Sequence, residues 1–342
     1  MKTAIKIEDI AKELGLSRNT VSKALNGKSV PEKTKNLVLQ KAQELNYKSL
    51  GTAAFDVGRK KYRLLLVSAK PLNNMNYFVS LISSIEAICL KKHYDLFQYT
   101  YNEANTTFEK FKDYLKSLSI DGIIAIECFD INFINKLLEL DLPICFHDFA
   151  YTSRIFEKKF DIINTNDEQC ISSTVKKLIN TYDLNRFTFV GDNRHCRSFR
   201  KRYTGMLLGL INNKKVHNSN EDLNFSETKF DYSNINELKK AIKALPNIPE
   251  VFICSNDFIA RNICYALKKL KINVPKDTLV VGFDNATEAS SLSPTITTFA
   301  TNKYYLGLEI IHTLEHRIEN KDMPSRAITI NAEKIEREST SR

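Results

Sequence analysis

The sequence predicts an N-terminal all-α helix-turn-helix head, then an α/β core of two doubly wound parallel-sheet lobes. Three observations carry this. Residues 7–25 hold two short apolar stripes at helical spacing, separated by a glycine. The formal charge of +10 is concentrated at the N-terminus. From residue 62 onward, apolar strand-like runs alternate with amphipathic stretches over about twice the length of one such lobe.

In the first stripe, Ile7, Ile10, Ala11 and Leu14 fall at i, i+3, i+4 and i+7, one face of a helix. Gly15 follows where a left-handed residue stops a helix. Ser17 is placed to cap the next helix near Thr20. That helix buries Val21 and Leu25 and leaves Arg18, Asn19, Ser22 and Lys23 outside. Two short helices joined this way lay the second one in a major groove. The stripes alone would suit any helix pair; the exposed face points to DNA. An arginine can hold guanine O6 and N7 in a fork, and an asparagine adenine N6 and N7. Ser17, Thr20 and Ser22 are short donors suited to phosphate oxygens.

After a turn at Gly27-Lys28-Ser29, Pro31 opens a third helix with Leu37, Val38, Ala42 and Leu45 as its expected buried face. Residues 1–48 thus form a small helical head. Residues 49–61, with glycines at 51 and 58, form a linker. Its segment Thr52–Val57 is too short for a stable helix alone and would order only when docked. Residues 1–61 carry 11 Lys and 2 Arg against 6 Asp or Glu, whereas the rest of the chain is nearly neutral. A basic end on a neutral body is the footprint of a protein that meets a polyanion with that end.

The core, residues 62–342, begins with Arg63–Val67, a continuous apolar run of the kind buried on both sheet faces. Helix 78–94, strand 96–100, helix 106–118, strand 122–126, helix 131–140 and strand 144–146 follow. A second series has helix 168–182, strand 187–190, helices 198–211 and 235–245, strand 251–254, helix 258–270 and strand 279–283. Ligands bind such sheets beyond the carboxyl ends of the strands. Asp148, Asp192, Asn256, Asp257 and Asp284 are expected just after strands, where that rule wants polar groups.

The content is 43% hydrophobic and 26% charged, typical of a soluble globular protein. Seven dispersed cysteines without a Cys-x-x-Cys pair indicate buried free thiols in a reducing compartment, with no disulfide framework or zinc site. No signal-peptide pattern or apolar run of about 20 residues occurs, so a cytoplasmic location without membrane contact is expected. An enzyme is the rival class. No Gly-rich phosphate loop, Gly-x-Ser-x-Gly elbow or His-Glu-x-x-His is present. His147-Asp148 and Asp192 with His195 are the sole acid–base neighbours of note, so no catalytic residue, metal ligand or cofactor is assigned.

The chain resembles the lactose-repressor/galactose-repressor family of bacterial transcription regulators over essentially its full length. The resemblance rests on Asp9-Ile10-Ala11, Gly15, Ser17, Thr20-Val21-Ser22, Leu25-Asn26 and Val30-Pro31-Glu32-Lys33-Thr34 in the head. In the core it rests on Asp121-Gly122-Ile123-Ile124, Leu142-Pro143, Ser255-Asn256-Asp257, Val280 through Asn285 and Pro294 through Thr298. It implies a core of the type I periplasmic-binding-protein kind and a homodimer whose heads bind a near-palindromic double-stranded operator. Arg18, Asn19 and Lys23 align with base-choosing positions, and Ser17, Thr20, Ser22 and Asn26 with backbone-holding ones. It also implies a hinge helix in the minor groove. Here Thr52, Ala53 and Ala54 stand where the family usually has a Leu flanked by Ala and Arg, and Phe55 is the one bulky wedge candidate. Lys6 stands where the family usually has a capping Thr.

By the same resemblance, effector contacts fall on Tyr77, Phe78, Asp148, Ser198, Arg202, Asn256 and Asp284. The set suits a carbohydrate: carboxylates and an amide meet hydroxyls, Arg202 forks, and the rings stack on an apolar sugar face. Lys303, where relatives tend to have an aromatic residue, is expected to be a solvated lysine; inside the cleft it would favour an anionic effector. A core that answers to a partner protein, and a secreted sugar carrier, are the other readings of this fold.

Overall fold

The computed structural model describes residues 5–25, 30–45, 47, 61–68, 76–102, 107–150, 160–223 and 230–342. Asn26, Thr52, Ala53 and Phe55 lie outside them, as does the side chain of Tyr77. The chain divides into two compact units, Met1–Lys61 and Tyr62–Arg342.

The first unit holds helices α1 (Ile7–Leu14), α2 (Arg18–Leu25) and α3 (Glu32–Glu44). Ile10, Ala11, Val21, Ala24, Leu25, Val38, Leu39 and Ala42 form its core. Each large aliphatic side chain so buried contributes about 1.5–3 kcal/mol. Gly15 ends α1 at φ 63°, in the left-handed region. Lys6 occupies the cap position of α1, and its backbone N–H donates to Asp9 Oδ2 at 2.7 Å. Asp9 thereby supplies one half of a capping box, which accounts for a helix start without a capping hydroxyl. The inner face of α3 corrects the sequence expectation: Leu37 is 49% exposed and Leu39 is buried. The inward stripe runs 38, 39, 42, and Leu37 lies about 100° around the helix from Val38, on the outer side.

The second unit contains two lobes. In the first, a six-stranded parallel sheet has the order β10-β5-β4-β3-β1-β2. Its strands are β1 (Arg63–Ser68), β2 (Asp95–Thr100), β3 (Gly122–Cys128), β4 (Ile144–Phe149), β5 (Asp161–Thr165) and β10 (Arg326–Ile330). Helices α4 (Asn76–Lys92) and α12 (Lys303–Glu319) cover one face, with Leu81, Ile85, Ile310 and Leu314 in the packed layer. Helices α5 (Phe108–Leu118) and α6 (Ile131–Leu138) cover the other, around Phe111, Phe133 and Phe146.

In the second lobe, β6 (Phe187–Val190), β7 (Val251–Cys254) and β8 (Leu279–Val281) form a three-stranded parallel sheet. Around it pack α7 (Asp167–Tyr182), α8 (Arg197–Asn212), α9 (Ile235–Ala244), α10 (Asp257–Lys269) and the short α11 (Thr287–Ser291). A small antiparallel pair joins β9 (Thr298–Ala300) to β11 (Glu333–Ile335).

The chain passes between the lobes three times: between β5 and α7, between β9 and α12, and between β10 and β11. The sequence pattern of two consecutive series missed this. Strands β5, β9, β10 and β11 and helix α12 were not expected, and β5, β10 and α12 complete the sheet and helix layer of the first lobe. All seven cysteines are free and buried. Among the described residues, no helix is long and apolar enough to cross a membrane.

Candidate functional site

The first candidate surface is the outer face of α2. Ser17 Oγ accepts the Thr20 N–H at 3.1 Å and lies 2.8 Å from Thr20 Oγ1, so the hydroxyl caps α2 as expected. Ser17, Asn19 and Lys23 are exposed, and Thr20 and Ser22 are half-buried. The Arg18 side chain, 70% exposed, reaches back to α1, where its Nε donates to Glu8 Oε1 at 2.6 Å. Backbone hydrogen bonding, and then Arg18, hold the Glu8 carboxyl below its ordinary range. The arginine expected to choose bases thus pairs with a carboxylate on the neighbouring helix.

The second candidate is the cleft between the two lobes of the core, a cavity of about 650 Å³. Phe78, Asp148, Ser198, Arg202, Asn256 and Asp284 all line it, as the resemblance implied. Their geometry differs from expectation in three respects.

Asp148 does not follow its strand; it is the next-to-last residue of β4, held at φ 46°. Its carboxylate crosses to the other lobe, where Ser198 donates from Oγ at 3.0 Å to Oδ2 and from N–H at 3.4 Å to Oδ1. Ser198 lies in the first turn of α8, so Asp148 occupies the anion position of that helix N-terminus. Burial pushes the Asp148 carboxyl up, against Arg202 and Ser198, which pull it down. A ring contact, Phe129 to His195 at 4.3 Å between centroids, makes a second link across the cleft.

Arg202 is buried and its donors are engaged. Nε donates to Asp167 Oδ1 at 2.8 Å, Nη1 to the Ser255 carbonyl and Nη2 to Asp284 Oδ1 at 3.3 Å. Its guanidinium lies 3.7 Å over the centre of the Phe283 ring. These partners belong to its own lobe. The fork expected to grip a ligand therefore organises carboxylates instead, because both acids sit on elements packed against α8.

Lys303 is not the solvated lysine expected from sequence. It opens α12, and burial pushes its amine down to about 8, against the opposing pull of Asp284. Asn256 Oδ1 caps α10 by accepting the Ile259 N–H at 3.0 Å, so its carbonyl serves the fold. Asp257 sits just inside that helix and accepts from Thr298 Oγ1 at 2.9 Å and from the Ala286 N–H at 2.8 Å, both through Oδ2. Burial, and then the neighbouring Asp284, push its carboxyl up to about 7. Gly282 is required beside it, since a Cβ there would lie 2.1 Å from Asp257 Oδ1.

Residues not anticipated as contacts also line the cavity, among them Phe129, Phe199, Phe230 and Phe258. Glu127 and Asp284, like Asp148, have positive φ at its edge. Glu127 has no sequence signal beyond its position near a strand end, and no glycine or proline stands beside Glu127 or Asp148 to mark the turn that aims them.

Residues 6–49 match the family described as "Bacterial regulatory proteins, lacI family", and residues 182–340 match the "Periplasmic binding protein-like domain". The "HTH-type transcriptional repressor PurR" of Histophilus somni (strain 2336) is 28% identical over 344 residues, covering 97% of this chain and 98% of that protein. The chain thus joins a lacI-family helix-turn-helix head to a periplasmic-binding-protein-like domain, the make-up of a lacI-type regulator. This regulator also shares its fold with a transcriptional regulator CelR–cellobiose complex (TM-score 0.71, 17% identity, 98% and 99% of the two chains). A second solved structure is the lac repressor dimer bound to operator and the anti-inducer ONPF (TM-score 0.67, 17% identity, 99% and 100%). It is a DNA-binding transcriptional repressor, and the proteins it resembles are regulators and not enzymes.

Proposed function

We propose that this repressor binds a sugar or sugar derivative in its cleft and, as a cytoplasmic homodimer, changes its hold on a near-palindromic operator in response. The reading divides the chain into a head (1–48), a hinge (49–61, with Thr52, Ala53 and Phe55) and a sensing core (62–342). In the head, Arg18, Asn19 and Lys23 choose bases, while Ser17, Thr20, Ser22 and Asn26 hold phosphates. One observation carries the effector half: a cavity of sugar size between two lobes, with aromatic side chains and hydrogen-bonding groups on its walls and a side-chain link, Asp148 to Ser198, spanning it. A ligand that exchanges that link for its own hydroxyl contacts shifts the balance between two core states, and this difference in affinity drives the switch.

A planar nucleobase is a second reading of the same cleft. The aromatic side chains Phe78, Phe129, Phe199, Phe230, Tyr232 and Phe258 around it favour a flat heterocycle as well as a sugar ring.

The test uses the full-length protein. Gel shifts on DNA from its own upstream region should show a preferred site at moderate salt, with affinity falling steeply as salt rises. Thermal-shift measurements with sugars, sugar phosphates and nucleobases should show stabilisation by one class, and that compound should change operator affinity. Stabilisation by no compound would overturn the small-molecule reading in favour of a core that answers to a partner protein.

A further inference from the structure

The charge balance of the cleft narrows the class of effector, an inference that rests on the proposed small-molecule function. Asp148, Asp257 and Asp284 line the cavity with little exposure, and Asp192, Asp231 and Glu288 line it nearer solvent. Among the described residues, few cations stand against them. Arg202 is committed to Asp167 and Asp284, and Arg261 lies 3.9 Å from Glu288. Lys303, beside Asp284, does not offset the remainder. Among the described residues, carboxyl groups therefore outnumber cations around the cavity; burial pushes Asp148, Asp257 and Asp284 up, and a cationic ligand group would draw them to the charged form.

Two further observations turn this from an acidic cluster into a site. Asp257 is 1% exposed, and its Oδ1 has no hydrogen-bond partner among the described residues. Aromatic rings wall the same space, Phe78 and Phe129 from the first lobe and Phe199 and Phe258 from the second. Carboxylates together with ring faces are the surroundings that stabilise an ammonium group, through charge pairing and cation–π attraction. The N-terminus of α8 is already filled by Asp148, and that of α10 carries Asn256 and Asp257.

We propose that the effector is a ring compound bearing a cationic nitrogen, such as an amino sugar, and that neutral or phosphorylated counterparts are discriminated against.

The experiment measures affinity by isothermal titration calorimetry on the full-length protein at pH 7. The probes are glucose, galactose and mannose, their 2-amino derivatives and their 6-phosphates. An amino sugar binding at least about tenfold tighter than its parent, with the phosphate weaker than the parent, supports the proposal. Neutral sugars binding as tightly as the amino forms would overturn it and leave the sugar reading intact. Phosphates binding tightest would overturn it and assign Lys303 the dominant field. Binding by none of the nine would overturn both.

Discussion

Each lobe of the core buries an arginine among carboxylates, and the two are used differently. In the first lobe, Arg317 on α12 donates to Asp161 from Nη2 at 2.8 Å and from Nε at 3.1 Å. Arg326 completes the cluster on the other side of that aspartate. Burial would raise the Asp161 carboxyl, but hydrogen bonds from the two arginines outweigh it and hold it below its ordinary range. The cluster ties α12, β5 and β10 together, far along the sequence from one another, and it lines no part of the cleft. In the second lobe, Arg202 serves Asp167 and Asp284 at the cavity wall, and there the acids outnumber the base. A satisfied cluster is a strut. An over-acidic cluster is a surface waiting for a charge. The same residue types reach both outcomes, and the deciding factor is how many partners the packing supplies.

The comparison breaks most sharply on removal of each arginine. Breaking a buried pair leaves an unpaired charge and costs about 3–5 kcal/mol. Arg202→Ala, which strands two acids, is expected near the top of that range in urea unfolding. Arg317→Ala is expected near the bottom, since Arg326 still serves Asp161. Only Arg202→Ala, at the cavity wall, should also change the ligand-induced thermal shift. Loss of ligand response in both variants would mean that the two clusters are not functionally distinct.

The lobes should also respond to pH with opposite sign. Asp161 is depressed, so its stabilising contribution is present above the unfolded carboxylate pKa and is lost as pH falls through its lower folded value. Asp257 is raised to about 7, so the folded state binds the extra proton between its unfolded pKa and about 7. Stability is therefore lost as pH rises through that window, by about 4 kcal/mol if Asp257 acts alone. Asp257→Asn keeps an acceptor for Thr298 and should flatten the slope between about pH 4 and pH 7, while the acid limb from Asp161 persists. Denaturation midpoints across pH check both limbs. An unchanged slope in the variant would move the effect to Asp148 or Asp284.

Much of the strut is invisible in sequence, and so is much of the cleft. The alternation of apolar runs and helical stripes exposed the parallel sheets because β1, β3 and β4 are continuous in sequence and buried on both faces, while β2 at the sheet edge is partly exposed throughout. β5 was missed because Asp161, Asn164 and Thr165 interrupt the apolar run. Asp161 makes sense only beside Arg317 and Arg326, more than 150 residues later. Helix α12 carried a legible stripe in Leu306, Ile310, Ile311 and Leu314, but nothing local says that it returns to the first lobe. The cleft residues Phe78, Asp148, Ser198, Arg202, Asn256 and Asp284 came from resemblance. Their alignment gave positions and not partners, so the commitment of Arg202 to two acids and the burial of Lys303 emerged only in three dimensions. The head was the most legible part, since its three helices share a core built from contacts close in sequence.

The head supplies the weakest version of the same pair, and the sharpest test of what burial does. Arg18 and Glu8 meet at 2.6 Å, closer than either arginine–aspartate pair of the core, but both side chains are more than half exposed. Water competes for each, so such a pair contributes little to stability and salt weakens it further. It can be surrendered when a better partner arrives. A guanine edge offers Arg18 two acceptors, and a good bidentate contact is worth about 1–3 kcal/mol of base discrimination. Arg18→Ala should therefore lower operator affinity about 5- to 150-fold, with the loss concentrated at one position in each half-site. Glu8→Gln should leave the thermal midpoint unchanged and tighten operator binding slightly, because the competing carboxylate charge is gone. Competition gel shifts against single-base operator variants read both effects. A uniform loss across unrelated sequences in Arg18→Ala would reduce Arg18 to a phosphate contact. Weaker binding in Glu8→Gln would show that Glu8 holds Arg18 in its reading position instead of withholding it from the bases.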